Sequence, residues 1–402
     1  MVLTNRQKSS LHGAILQYLI DSGLSQTAEV FEKESGITPE ASKKEAGKLE
    51  QKWTAVMRLQ KKIMELEQNE KFLKEELETA SQGGRRKKDA NSLAVPRPPQ
   101  KHALKGHRAT VTSLDIHPVY SQVASTSEDA TVKLWDYESG EFERSLKGHT
   151  DVVQCVSYSP SGHMIATCSA DLTVKLWETD GYNCVKTLKG HEHNISSVCW
   201  MPMSSGKDHV LSSSRDKSIK VWDASTGFCL KTLTGHDEWV RRVKVHEKGA
   251  IAASCSNDKT IKVWKLDTYK LQGTLHGHSH VVEDIAFAPS VDAKKEAGSG
   301  GGMLLASAGR DKSVKVWDLG TEQLLYSFDG HDNWARGVCF HPNGTYLISV
   351  GDDKNLIIWD LKQKREYKRI SQAHDHFITS LQMNSRDLVT ITGSVDHTLH
   401  VW

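Results

Sequence analysis

The 402-residue chain has no apolar run of the roughly 20 residues that a membrane-crossing helix needs. Its start, MVLTNRQKSS, leads into an amphipathic segment and not into the apolar core of a secretory leader. An excess of one charge is missing too. With 52 Lys+Arg against 50 Asp+Glu, nothing global draws the chain to nucleic acid or to an acidic membrane. The seven cysteines, Cys155, Cys168, Cys184, Cys199, Cys229, Cys255 and Cys339, are odd in number and form no CxxC pair. Several lie in apolar strand-like runs, so buried, reduced thiols are expected. There is no GxSxG elbow and no HExxH helix, and the glycines of 298–302 are followed by no GK[ST]. No catalysis, no cofactor and no metal are therefore expected.

What is present is a repeat. From Gly106 onward a GH or AH pair recurs seven times, at His107, His149, His191, His236, His278, His331 and His374. Each histidine is followed by an Asp and, six residues after that, a Trp. The pairs are Asp129/Trp135, Asp171/Trp177, Asp216/Trp222, Asp258/Trp264, Asp311/Trp317, Asp353/Trp359 and Asp396/Trp402. The His-to-Trp spacing is 28 in five of the seven units. Within a unit the segments are short and apolar or alternating, bounded by Ser, Gly, Asp and Pro. VVQCVSYSP, HMIATCSAD, TVKLWE and CVKTLKG of the second unit read as four strands. Two units carry extra residues between their first and second strands, in MPMSSGKDHV and in APSVDAKKEAGSGGG. Both are expected to be surface loops.

Four strands in about 42 residues is the pattern of a β-propeller blade, and the chain from 106 to 402 resembles the WD40 family. The fold class expected is an all-β, seven-bladed propeller, preceded by helices. The Asp stands in the turn before the third strand, where a short carboxylate satisfies backbone N–H groups. The resemblance implies that it also pairs with the GH histidine, in a network completed by Ser/Thr and Trp. The His–Asp separation is not a metal-ligand spacing.

The last unit ends at Trp402 on a third strand, with no outer strand after it. Before the first GH stands PPQKHALKGH, which has the outer-strand pattern but no blade of its own. Residues 100–104 are expected to pair with the last blade and close the ring, giving a propeller over 100–402.

The first hundred residues are different. In residues 1–38, Leu11, Ile15, Leu16, Tyr18 and Leu19 lie on one helical face, Gly23 breaks the helix, and Ala28, Val30 and Phe31 begin a second. This pattern resembles the lissencephaly-homology (LisH) motif, whose implied role is dimerisation. Over 49–80, Val56, Leu59, Ile63, Leu66, Leu73 and Leu77 follow spacings of three and four, interrupted by Glu70, and predict a short coiled coil. A linker is expected over 81–99, with the basic run Arg85–Lys88 a solvated patch.

LisH, coiled coil, linker and seven-bladed propeller, with EQKWTAVMRLQKKIMELE, STSEDATVKLWDYESGEFERSLKGHT and HDNWARGVCFH, resemble the lissencephaly-1/nuclear distribution protein F family along the whole chain. The resemblance implies a non-catalytic homodimer that regulates cytoplasmic dynein at microtubules and spindle poles. It implies the dynein heavy chain and nuclear distribution protein E-type adaptors as partners. A receptor or scaffold role in another complex, or a regulatory subunit of platelet-activating-factor acetylhydrolase, is the alternative. Matched by motif, the implied motor-binding residues are Arg215, Trp239, Arg241, Arg310, Trp334 and Arg336. Arg215 and Arg310 stand where other blades carry Glu128, Ala170, Asn257, Asp352 and Val395. Trp239 and Trp334 follow the GH turn at a position expected to be apolar in every blade, so core packing competes with partner contact there.

Overall fold

The computed structural model describes residues 12, 14–20, 25–35, 95–202, 208–289, 303–384 and 386–402. The chain divides into two compact units, Met1–Leu93 and Ala94–Trp402.

In the first unit, residues 14–20 and Ser25–Ser35 are helical. Ala14, Leu16 and Ala28 are buried, Ile15, Leu19 and Phe31 partly so. The ring of His12 meets Phe31 edge-on. Tyr18, Ile20 and Val30 are exposed, Val30 by 58%. Leu11, Gly23, the predicted coiled coil with Val56, Leu59, Ile63 and Leu66, and the run at 85–88 lie outside the described residues.

The second unit is seven four-stranded antiparallel sheets. Blade one comprises Val111–Ile116, Gln122–Ser127, Thr131–Asp136 and Phe142–Lys147, and the same order repeats through blade six. The first strand of each blade packs beside those of its neighbours around a central channel. Second strands such as QVASTS are wholly buried and rich in Ser, Ala and Thr, which suits strands squeezed between neighbouring sheets. Outer strands are exposed except for one apolar anchor: Leu146, Leu188, Leu233, Leu275, Phe328 and Ile370 in blades one to six. Cores form between blades. Val174 and Leu176 of blade two, for example, pack with Ile195, Val198 and Trp222 of blade three. Both inserted segments, 203–207 and 290–302, fall between first and second strands and lie outside the described residues.

Blade seven contains Ile378–Met383, Thr390–Ser394 and Thr398–Val401, and its outer strand is His102–Lys105. The register sets His102 opposite Val401 and Lys105 opposite Thr398, and the Lys101 N–H donates to the Val401 carbonyl at 2.7 Å. Leu104 is the apolar anchor of this strand, 1% exposed. The chain is already seated upstream of the strand. Val95 is buried with Ile348, Ile358, Ile370 and Trp402, and the Lys368 Nζ donates to the Pro96 carbonyl. The linker expected over 81–99 is thus docked on the propeller from Val95, because an apolar side chain there finds the seam between blades six and seven.

The cysteine expectation needs correction at two positions. Cys155, Cys168, Cys199, Cys255 and Cys339 are buried, but Cys184 and Cys229 begin the solvent-facing outer strands of blades two and three and are exposed.

Candidate interaction face

Each blade is fixed by one network. In blade one the Trp135 Nε1–H donates to Ser125 Oγ at 2.8 Å, which contacts His107 Nε2 at 2.7 Å, and His107 Nδ1 meets Asp129 Oδ2 at 3.0 Å. A tryptophan N–H can only donate, so the serine hydroxyl points to Nε2 and the neutral histidine donates from Nδ1. The other six blades repeat the His–Asp contact at 2.6–3.0 Å.

The tryptophan link repeats as well. Trp177 donates to Thr167 Oγ1 at 2.9 Å, and Trp264 and Trp317 donate to Ser254 and Ser307 Oγ at 2.8 Å. These three tryptophans are buried, with 3%, 2% and 1% of their surface exposed. Each ring packs on the preceding blade: Trp177 with Leu134 and Leu146, Trp264 with Val221 and Leu233, and Trp317 with Val263 and Leu275. Trp177, Trp264 and Trp317 are therefore core residues that join blades, and they present nothing to a partner. Their position in the repeat differs from that of the rim tryptophans described below.

The glycine of each GH pair lies against its blade's Trp. A Cβ on Gly106 would stand 2.9 Å from the Trp135 ring, and one on Gly330 2.7 Å from that of Trp359. Asp129 also accepts from the Arg108 N–H, the Thr131 N–H and the Thr131 hydroxyl. Burial pushes its carboxyl up, but these donors and His107 overcome it and hold it at about 2. The residue after each Asp is left-handed without being glycine, for example Lys312 at φ 67°. Among the described residues, no group of His, Cys, Asp and Glu could hold a metal ion.

These turns open onto one mouth of the channel. The residue before each Asp donates its N–H to the carbonyl three residues after the GH histidine: Arg215 to Asn194, Arg310 to Val281, Asn257 to Trp239, Asp352 to Trp334. This bond identifies the true counterparts of the two tryptophans as Thr110, Val152, Asn194, Val281 and Phe377. The position is therefore not apolar in every blade. The buried apolar column is the next residue, Val240 after Trp239 and Ala335 after Trp334. Both tryptophans are half-buried at the rim.

All six residues singled out from the sequence come together there. The Arg215 guanidinium lies over the Trp239 ring, 4.5 Å from its centroid, with that of Arg241 at 5.8 Å. Arg310 and Arg336 flank Trp334 at 4.2 and 4.9 Å. Stacking of guanidinium on indole orders both partners and leaves the N–H edges free to bind. A bulge in every first strand directs the next ring of side chains into the mouth; in blade one it falls between Val111 and Ser113. These are Thr112, Gln154, Ser196, Arg241, Glu283, Arg336 and Thr379, and together they line a cavity of about 290 Å³.

Glu283 and Arg242 were not singled out from the sequence. Aligning the seven units on the fifth residue after each histidine would have exposed Glu283 as the one acid in that ring. Arg310 Nε donates to Glu283 Oε1 at 2.5 Å, Arg336 approaches the same oxygen at 3.5 Å, and Arg336 grips Asp352 with two bonds of 2.8 and 3.0 Å. Burial pushes the Glu283 carboxyl up, but Arg241, Arg336 and Arg310 outweigh it and hold it below its ordinary value. One residue deeper, Arg242 spans the channel. It reaches Asp284 at 3.6 Å, Ser113 at 3.4 Å and Cys155 at 3.2 Å, joining blades four, five, one and two.

A seven-bladed ring with one such network per blade and an arginine–tryptophan mouth defines a WD-repeat interaction propeller. The family described as "WD domain, G-beta repeat" matches residues 98–136, 140–178, 182–223, 227–265, 269–318, 322–360 and 365–402, and "PAC1 LisH domain" matches 5–40. The chain is 51% identical to a Lissencephaly-1 homolog of Heterostelium pallidum, over 100% of this chain and 99% of that protein. It is 50% identical to the Lissencephaly-1 homolog of Dictyostelium discoideum over the same shares. With the Nuclear distribution protein PAC1 of Coccidioides posadasii the identity is 39%, over 98% of this chain and 90% of that one. The chain belongs to the lissencephaly-1/nuclear distribution protein family.

Proposed function

We propose that the chain is a non-catalytic, dimeric regulator of cytoplasmic dynein that binds the motor heavy chain through the arginine–tryptophan mouth. The observation that carries this is the convergence of Arg215, Trp239, Arg241, Arg310, Trp334 and Arg336 on one rim. Tryptophan and arginine are the usual anchors of protein interfaces, and here they are ordered before any partner arrives. Binding one face of the motor shifts which of its conformations is populated, at microtubules and at centrosomes or spindle poles. Nuclear distribution protein E-type adaptors are the second class of partner. The test is recovery of dynein heavy chain from lysate on the immobilised chain, followed by titration with purified motor domain. The paired change Arg310→Ala and Trp334→Ala is expected to weaken binding at least about a hundredfold, as for two anchors worth about 2 kcal/mol each. Circular dichroism should be unchanged. Unaltered affinity, or recovery of a different complex without the motor, overturns the reading.

Dimerisation through the N-terminal unit is supported by its small core and by the exposure of Tyr18, Ile20 and Val30. Leu11, Ile15, Tyr18, Leu19 and Phe31, with the predicted heptads, are proposed to form the interface. A linked pair of propellers gains effective concentration on one motor complex. Light scattering is expected to show a dimer for the full chain and a monomer for residues 94–402. A dimer in the shorter chain would place the contact on the propeller instead.

A further inference from the structure

The two arginine–tryptophan triplets are the same arrangement repeated in neighbouring pairs of blades, and they differ in one respect. Around Trp334, each arginine has a carboxylate. Arg310 has Glu283 of its own blade five, and Arg336 has Asp352 of its own blade six. Around Trp239, the equivalent of Glu283 in blade three is Ser196, and the equivalent of Asp352 in blade four is Asn257. Arg241 Nε donates to the neutral Asn257 Oδ1 at 2.7 Å. Among the described residues, no carboxylate is in ion-pair contact with Arg215 or Arg241. Glu283 acts on Arg241 only at longer range and is already shared by Arg310 and Arg336.

Arg241 is half-buried beside three other arginines. Burial disfavours its charge, and Arg310, Arg215 and Arg336 add to that. Two adjacent guanidiniums without a counter-ion, in a partly desolvated concavity, are an unsatisfied charge pair. The cavity they face also presents Gln154, Asn194 and Ser196, which are neutral hydrogen-bonding groups. Two acids line it as well, Glu128 from blade one and Glu283 from blade five, the latter already paired with Arg310 and Arg336.

From this asymmetry we infer that the Arg215–Trp239–Arg241 triplet is a binding site for a small, multiply charged phosphate anion, whose oxygens take the places that Glu283 and Asp352 fill in the sister triplet. A phosphate supplies about two negative charges and several acceptor oxygens, which two forked guanidiniums can grip together. The room in the mouth suits a di- or polyphosphate better than a lone carboxylate. The site does not depend on motor binding, although both use the same rim, so an anion held there would compete with a protein partner.

The test uses the full chain alone, titrated with pyrophosphate at low salt and followed by calorimetry and tryptophan fluorescence. One saturable site per chain is expected. Arg215→Gln or Arg241→Gln should weaken it about tenfold or more, as for loss of a charge-assisted pair. Lys175→Gln, the same charge loss on the outer face, should leave it unchanged. The decisive variant keeps both arginines and supplies the missing carboxylates, as Ser196→Glu with Asn257→Asp. It should fold normally and lose pyrophosphate binding. Vesicles containing phosphatidylinositol bisphosphate distinguish the source. Pyrophosphate-sensitive sedimentation assigns a lipid headgroup, and binding of pyrophosphate without sedimentation assigns a soluble anion. No saturable binding, or binding that survives in the double-carboxylate variant, overturns the inference, whatever the chain does with the motor.

Discussion

Removing residues 1–105 is expected to abolish the cooperative thermal transition of the propeller, although every repeat His, Asp and Trp remains in the chain. The reason is the seam. His102–Lys105 is the outer strand of blade seven, and the rest of that blade comes from the last 25 residues of the chain, 378–402. Without it, the Thr398–Val401 strand has a bare edge, and Leu399, Val401 and the cluster that Leu104 shares with Val111 and Trp135 open to water. Burial of one core leucine is worth about 2–5 kcal/mol when truncated to Ala, and each ladder hydrogen bond adds about 1 kcal/mol. Together these rival the roughly 5–15 kcal/mol that holds a typical domain folded. A chain starting at residue 94 keeps the strand and the Val95 and Pro96 contacts, and is expected to melt as one domain. Leu104→Ala in that chain is the intermediate case, costing about 2–4 kcal/mol. Circular dichroism melts of the three proteins check the order. A shortened chain from 106 that melts as sharply as the one from 94 would show that the ring closes without this strand.

How much of this was legible follows from what each residue has to do. The Asp-to-Trp interval never varies because it spans a tight turn and most of one strand, neither of which tolerates insertion. The His-to-Trp interval varies because a loop between the first and second strands lies within it, and there 203–207 and 290–302 fall. The seam was legible as an outer strand without a blade and a blade without an outer strand. Arg215 and Arg310 stood out because they break a column of smaller or acidic residues. The acids that neutralise one triplet were harder to find. The bulge at the head of each first strand sends consecutive side chains to the rim, the core and the channel, so a simple alternating pattern misplaces them. The same bulge hid that the counterparts of the rim tryptophans in blades one and three are the polar Thr110 and Asn194, and not the apolar Val111 and Ile195 that follow them. Cys184 and Cys229 misled because the first residue of an outer strand faces water even when the strand reads as apolar. Tyr18 shared a helical face with Leu16 on paper, yet Leu16 is buried and Tyr18 exposed.

Acid is expected to unfold the propeller steeply between about pH 4 and pH 2, with uptake of several protons. All seven turn aspartates sit below their ordinary value, Asp129 at about 2. Burial alone would raise each of them. It is outweighed by the histidine, the backbone N–H groups and, except at Asp353, a Ser or Thr hydroxyl. A carboxylate held low in the folded state contributes stability that is fully present above its unfolded value, near 3.9, and is lost as pH falls through the folded one. Seven such groups act at once, so the slope is set by their number rather than by any one of them. His107, His117 and His149 are pushed down by burial, His117 to about 4. Their stabilisation fades in the same direction, beginning near pH 6.5. Asp115 opposes this. Its carboxyl, buried among the Tyr158 and Ile116 N–H groups and Gln382, is raised to about 6, so its contribution is present in acid and lost as pH rises through 6. Burial raises the Asp284 carboxyl as well, so it acts in the same sense, but two carboxylates cannot offset seven, and the net fall on acidification stands. Asp258→Asn is the informative variant. Its amide leaves one His236 or Thr260 donor facing a donor, which should cost about 1.5–3 kcal/mol at neutral pH and remove one proton from the acid limb. Denaturant melts between pH 2 and pH 8 measure both quantities. A propeller whose stability is flat from pH 5 down to pH 2 would mean that the turn carboxylates are not held ionised by their networks.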